Sequence, residues 1–278
     1  MSDLVRNVSD TARWVATYRA KESKRKDALF HDSLAEQLAG ERGYAIAKVA
    51  SKHSEWALIT RTKVIDDLVA DVVAEGCDVV LNLAAGFDTR PYRLELPAGL
   101  RWVEADLPAL IQEKEQLIGH EKPRCKLERV AVDLADPAAR SAFLERYTEG
   151  AKRVTVMTEG LVVYLDDSVV SALGRDFLAC SAVHSWILDF SSPSVTAETS
   201  RSMGPALSNA PFKFAPPNGL AFFEALGWKP RAVRSLFHEA ARLKRLPLWM
   251  RPFALLPGAN PRELKSERWS AVVRFERA

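Results

Sequence analysis

Cysteine is scarce in this chain of 278 residues. The three that occur, Cys77, Cys125 and Cys180, are too dispersed for a disulfide framework or for zinc-like spacing. The five histidines are equally scattered, so no metal site is expected. An excess of one charge is also lacking. The 39 Lys and Arg stand against 36 Asp and Glu, and a net charge of +3 argues for neither a nucleic-acid nor a membrane partner. The basic stretch 21–26 is interrupted by Glu22 and reads as a solvated helix face. No apolar run reaches membrane-spanning length, and residues 1–6 lack the apolar segment of a signal peptide; the expected compartment is the reducing cytoplasm. Repeats, low-complexity tracts and flexible linkers are missing as well.

What is present is a 47% hydrophobic chain long enough for one large domain with an elaboration. Its centre is the stretch 79–94. Residues 79–83 form a short apolar run of the length of a strand buried on both faces. The run stops at Ala84-Ala85-Gly86, where small side chains let a ligand approach the backbone. Further strands are expected at 101–105, 127–132, 153–157 and 184–190. Helices are expected between them at 107–118, with Lys114 facing outward, and at 138–147 and 168–180. Such alternation predicts an α/β fold, a Rossmann-like parallel sheet with right-handed crossovers.

Helical spacing also covers 9–39, from a Ser9-Asp10 cap through a repeat at 27–38 that Gly40 stops, and again 54–75. The first of these precedes the sheet, so it is an addition that can lie over the ligand pocket as a lid. From 191 onward prolines at 193, 205, 211, 216 and 217 break the pattern. A short helix at 220–226 ends at Gly227, and strands are expected at 228–233 and 269–275, the latter as an edge or antiparallel strand. The apolar, proline-broken stretch 243–257 reads as core packing, with substrate-pocket lining as the alternative. The divisions are a helical cap at 1–53, a cofactor-binding core at 54–190 and a substrate-pocket elaboration with the last strands at 191–278.

Four strand ends converge at Gly86, at Glu104 and Asp106, at Asp133-Leu134, and at Glu159. Three of the four carry carboxylates, a poor surface for pyrophosphate, and Ala84-Ala85-Gly86 is not a Gly-x-Gly-x-x-Gly turn. An acidic rim suits a ligand with positive charge and hydroxyls but no phosphate. S-adenosylmethionine, with its sulfonium, ammonium and ribose diol, meets that description. Composition alone leaves Arg61, one turn before Ile65-Asp66, as a surface ion pair.

Asn82-Leu-Ala-Ala-Gly-Phe-Asp-Thr-Arg-Pro-Tyr-Arg-Leu94, Glu104-Ala-Asp-Leu-Pro108 with Lys114, Val132-Asp-Leu134 and Glu159-Gly-Leu-Val-Val-Tyr-Leu165 resemble the leucine carboxyl methyltransferase family. The nearer likeness is to its bacterial branch, which includes polyketide O-methyltransferases of the tetracenomycin type. The likeness runs from about residue 10 to 190. It implies a class I S-adenosylmethionine-dependent methyltransferase fold, a seven-stranded, mostly parallel sheet with an antiparallel last strand, plus the N-terminal helical lid. It also implies roles: Arg61 pairs with the methionine carboxylate, Gly86 lies under the methionine part, and Asp106 accepts from the ribose hydroxyls, Glu104 being the substitute. Asp133 and Leu134 frame the adenine, and Glu159 lies near the sulfonium and amino group. Arg19 is a weaker second contact for the carboxylate. Ala84 stands where many relatives have Gly.

The resulting expectation is O-methylation of a carboxylate or hydroxyl on a small molecule, a polyketide-like one included. The rivals are a non-catalytic S-adenosylmethionine-binding protein and an NAD-dependent oxidoreductase. Tyr164 and His31 are candidate participants in proton transfer, structural roles being favoured for both, and no catalytic residue is assigned.

Overall fold

The computed structural model describes residues 8–49, 55–203 and 211–278. The side chain of Ser9, the helix start at Ser54 and Pro205 lie outside the described residues. Two helices, α1 (Val8–Ser23) and α2 (Ala35–Val49), pack against each other ahead of α3 (Glu55–Ala74). The sheet then follows as β1 (Val79–Leu83), α4 (Arg90–Arg93), β2 (Arg101–Asp106), α5 (Pro108–Ile118), β3 (Lys126–Ala131), α6 (Pro137–Thr148), β4 (Val154–Thr158), α7 (Asp167–Ala179) and β5 (Val183–Ser191). After α8 (Pro193–Met203), α9 (Leu220–Glu224), β6 (Trp228–Ser235) and α10 (Leu236–Arg242), the last strand is β7 (Ser270–Arg277).

The seven strands lie in the order β3-β2-β1-β4-β5-β7-β6. The first five pair in parallel, and β7 inserts antiparallel between β5 and β6. Thus β7 is an interior strand and β6 is the edge. β1 has β2 on one side and β4 on the other, so the chain leaves β1 in one direction and returns in the opposite one. The crevice outside the carboxyl ends of β1 and β4 is therefore the topological switch point, where open α/β sheets bind ligands.

Local chemistry explains the boundaries. β1 and β4 are buried at every position, which demands apolar residues on both faces. α5 and α6 each begin with proline, whose missing N–H is not needed in a first turn, and Asp136 caps α6 by accepting from the Ala138 N–H. The main core lies between the sheet and α6, α7 and α9, where Trp186 contacts Phe177, Phe223 and Trp228 edge-on. A second cluster seals the other face against α3 through Val64, Leu68 and Val72.

Three expectations need correction. Residues 27–34 are not helical; the helix begins at Ala35, because Asp32 turns inward to Arg19 and to the Leu34 N–H. Gly40, at φ 54° and ψ −178°, breaks α2 into two pieces rather than ending it. Core packing holds in 243–257 at Leu246, which is buried, but not over the 3-10 helix Leu248–Leu255, which is without a buried residue.

Ala84 sits at φ 53°, in the left-handed region where a Cβ costs about 1–2 kcal/mol. Glycine there relieves that strain but loses more chain entropy on folding. The expected result for Ala84→Gly is a net stabilisation of about 0.5–1 kcal/mol, read as a higher urea midpoint. A lower midpoint shows that the Ala84 methyl contributes packing that outweighs the strain.

Candidate functional site

The turn after β1 is held by its own backbone and by one acid. The Ala85 N–H donates to the Ala105 carbonyl at 3.3 Å and the Asp88 N–H to the Ala85 carbonyl at 3.0 Å. The Gly86 N–H donates to Asp106 Oδ2 at 2.7 Å, and the Leu107 N–H to Oδ1 at 2.8 Å. Asp106, the last residue of β2, is 95% buried yet no cation bonds to it among the described residues; burial pushes its carboxyl up against the pull of those two donors. A carboxylate offers about four acceptor positions, so two remain for a ligand. Gly86, at φ 50°, lies against α1, and a Cβ placed on it comes within 3.4 Å of the Ala12 Cβ. Helix α1 therefore packs directly on the turn.

Beneath the turn lies an ion network that pattern reading did not find. Arg90 is 1% exposed and donates to Asp66 at 2.8 Å, Asp88 at 2.9 Å and Glu159 at 2.7 Å. Arg93 grips both oxygens of Asp66 at 2.5 and 2.7 Å, and Asn82 in β1 donates to Asp88 at 2.8 Å. Arg61 on α3 places Nε on Glu159 and Nη1 on Asp189 of β5, each at 3.0 Å. The Gly160 N–H donates to the other Asp189 oxygen at 2.6 Å. Gly160 itself is required: at φ 64°, its Cβ position lies 3.3 Å from Arg61 Nη1.

Burial opposes the Asp88 charge, but Arg90, Lys114 and Arg93 outweigh it and hold the carboxyl well below its usual range. Burial likewise opposes Glu159, and Arg90 and Arg61 hold it down. A depressed carboxyl stabilises the fold fully above its unfolded value, about pH 4. That contribution is lost as pH falls through the lower folded value. Asp106 and Glu104, raised by burial, act with the opposite sign. Stability is therefore expected to fall steeply below about pH 4. Asp88→Asn should flatten that fall in urea midpoints measured against pH; an unchanged slope removes the network as its source.

The structure places the candidate residues unequally. Gly86, Asp106, Arg61 and Glu159 gather at the carboxyl ends of β1, β2 and β4. Asp133 is exposed just beyond β3 and caps its own turn through the Ala135 N–H; Leu134 beside it is half-buried against the main core. Glu104 does not reach the crevice. It is fully buried, ion-paired with Lys114 at 2.8 Å and accepting a hydrogen bond from Arg129 Nε at 3.0 Å. Lys114 is accordingly buried, not outward-facing, and burial pushes its amine down.

Arg61 belongs to a half-buried ion pair rather than a surface one, and its Nη2 makes no hydrogen bond among the described residues. Arg19 is committed to Asp32 at 2.8 Å and the Phe87 carbonyl at 2.6 Å, tying α1 to the turn. His31 is exposed. Tyr164 stacks obliquely on Phe212 at 5.3 Å, and burial pushes its hydroxyl up despite the nearby Arg61. The acidic rim thus reduces to Asp106 and Asp133, since Glu104 and Glu159 are neutralised by arginine and lysine. Asp189, Arg90 and Asp88 went unassigned; the last two stand inside the Gly86–Arg90 motif, which was their only sequence signal.

The family model of leucine carboxyl methyltransferase matches residues 12–177, more than half of the chain, including the carboxyl ends of β1 to β4 but not Asp189 of β5. The chain belongs to the leucine carboxyl methyltransferase family. A Streptomyces coelicolor protein, provisionally named an S-adenosyl-L-methionine-dependent methyltransferase, is 34% identical over 59% of this chain and 62% of its own length. A Mycobacteroides abscessus protein with the same provisional name is 32% identical over 66% of this chain and 67% of its own. The chain thus spans somewhat under two thirds of the Streptomyces relative it matches. Among solved structures, a duf574 family protein of Streptomyces avermitilis aligns at TM-score 0.61 with 14% identity, covering 95% of this chain and 96% of that one. A Synechocystis magnesium protoporphyrin IX methyltransferase with bound SAH aligns at 0.51 with 12% identity, covering 86% and 95%. These likenesses show the fold, a class I methyltransferase sheet.

Proposed function

We propose that this family member is a cytoplasmic S-adenosylmethionine-dependent O-methyltransferase acting on a carboxylate or hydroxyl oxygen of a small molecule. A polyketide-like acceptor is the narrower form of the reading. The observation that carries it is Asp106, a buried carboxylate with two acceptor positions unused beside a turn that offers no phosphate site. The Ala85, Gly86, Asp88 and Leu107 N–H groups are already engaged, and the Asp106 charge repels phosphate. The same surface suits a ribose diol. This disfavours a nicotinamide dinucleotide and favours a phosphate-free nucleoside.

The residues fit S-adenosylmethionine in order along the crevice. Asp106 accepts from the ribose hydroxyls, and Asp133 with Leu134 borders the adenine. Arg61 offers its remaining Nη2 to the methionine carboxylate as a single charge-assisted donor, its Nε and Nη1 being held by Glu159 and Asp189. Glu159, held in place by Arg61 and Arg90, faces the ammonium. Bound there, the ligand supplies a methyl carbon already activated by a sulfonium leaving group. The chain's part is alignment and exclusion of water by the cap. A carboxylate acceptor requires no base; Tyr164, its hydroxyl pushed up by burial, is a hydrogen-bond donor to the acceptor rather than a base. The family's described chemistry at a carboxyl group supports oxygen as the acceptor atom.

Calorimetric titration with S-adenosylmethionine, S-adenosylhomocysteine and NAD tests the site, and transfer of labelled methyl to an extract of small acids and phenols tests the reaction. Binding of NAD without S-adenosylmethionine overturns the reading; binding without transfer to any acceptor leaves the non-catalytic rival standing.

A further inference from the structure

We propose that the 3-10 helix Leu248–Leu255 and the residue after it form a docking surface for an anionic lipid bilayer. Leu248, Trp249, Phe253, Leu255 and Leu256 are each more than half exposed, Leu255 at 87%. Five large apolar side chains within nine residues form a patch of the kind that marks an interaction surface. The segment is held, not loose. Leu246 just before it is buried, and Arg245 reaches Glu22 on α1 and Asp27. Arg251 donates to the carbonyls of Leu246 and Lys244, closing the segment on itself. The apolar groups are thereby presented outward on a fixed base beside the helical cap.

Charge selects the occupant. Residues 242–265 hold six Lys and Arg and one Glu, a net +5 in a chain whose total is +3. Arg242, Arg245 and Arg262 are paired with Glu239, Glu22 and Glu224, while Lys244 and Arg251 have no acidic partner among the described residues. A Trp-, Phe- and Leu-bearing face with cations at its margin is the composition that settles into the headgroup layer of an anionic membrane. A second copy is a poorer occupant. A two-fold contact brings two positive patches together, and nine residues are few against the roughly 20–30 a side of a standard interface. The small whole-chain charge, which by itself implies no membrane partner, hides this local asymmetry.

The test is co-sedimentation of the full chain with phosphatidylcholine vesicles and with the same vesicles containing phosphatidylglycerol. Wild-type protein is expected to pellet at least tenfold more with the anionic vesicles. The exposed double variant W249S/L255S should lose at least tenfold of that binding with an unchanged melting curve, and Lys244→Glu should lose the preference for anionic lipid. Binding to neither vesicle, equal binding to both, or binding that W249S/L255S leaves intact overturns the proposal. So does a wild-type dimer that the double variant dissociates, which assigns the patch to a second copy.

Discussion

Arg90→Ala is expected to destabilise the fold by about 3–5 kcal/mol, the cost of leaving buried charges without their partner. The guanidinium reaches three carboxylates, Asp66, Asp88 and Glu159, from α3, the turn after β1 and the end of β4. Its removal leaves Asp66 with Arg93 and Glu159 with Arg61, but Asp88 keeps only Asn82 and its own turn. Against a typical total of 5–15 kcal/mol, that loss is a large fraction of the stability. Arg90→Lys should fall between, since an ammonium is a point charge that cannot fork across three acceptors. The decisive measurement is a urea double-mutant cycle with Asp88→Asn. Removing both charges should recover part of the loss, because the neutral amide no longer needs a cation. A loss under about 1 kcal/mol for Arg90→Ala shows instead that water reaches and solvates these acids.

Much of the sheet was legible because its strands are short apolar runs separated by helices of matching length. The residues 79–83, read as a buried strand, are β1 to the residue, since uniform burial favours a near-continuous apolar run, broken here only by Asn82, which bonds Asp88. The insertion of β7 between β5 and β6 was less legible. Its alternation of apolar and charged residues fits an edge strand equally well, and only pairing on both sides distinguishes them. Composition also could not separate core from surface at 248–256: exposed and buried leucines are the same letters. Asp32 defeated the helix pattern over 27–34 because a tertiary partner, Arg19, overrode local spacing.

The site divides in the same way. The strand-end glycine and acids are visible in sequence because topology puts every strand end on one edge. Which acids face the ligand is not visible. Glu104 and Asp106 are two residues apart on one strand, yet one is taken by Lys114 and Arg129 and the other bridges backbone N–H groups. Arg61 and Asp189 are 128 residues apart, Arg90 and Glu159 69 apart, and no local pattern couples such pairs. Lys114 was assigned outward from helix position alone, while its partner Glu104 lies on the preceding strand, where a single sequence gives no hint of pairing.

Asp106→Asn is expected to weaken S-adenosylmethionine binding by about 1–3 kcal/mol, roughly 5- to 150-fold, through loss of charge-assisted hydrogen bonds. The amide keeps one acceptor oxygen for the Gly86 or Leu107 N–H but not both, so a modest drop in melting temperature should accompany the change. Asparagine is preferred to alanine because alanine strands both N–H groups and confuses folding with binding. The two effects separate through 5′-methylthioadenosine, which keeps the ribose and lacks the methionine carboxylate. Asp106→Asn should weaken both ligands by the same factor, whereas Arg61→Met should weaken S-adenosylmethionine alone. Because Arg61 also bridges Glu159 and Asp189, its variant is compared at a temperature where both proteins are folded. If folded Asp106→Asn binds both ligands within twofold of the parent, the ribose does not lie on this carboxylate. The crevice would then hold its nucleoside in another orientation, with Asp106 serving only to brace the turn.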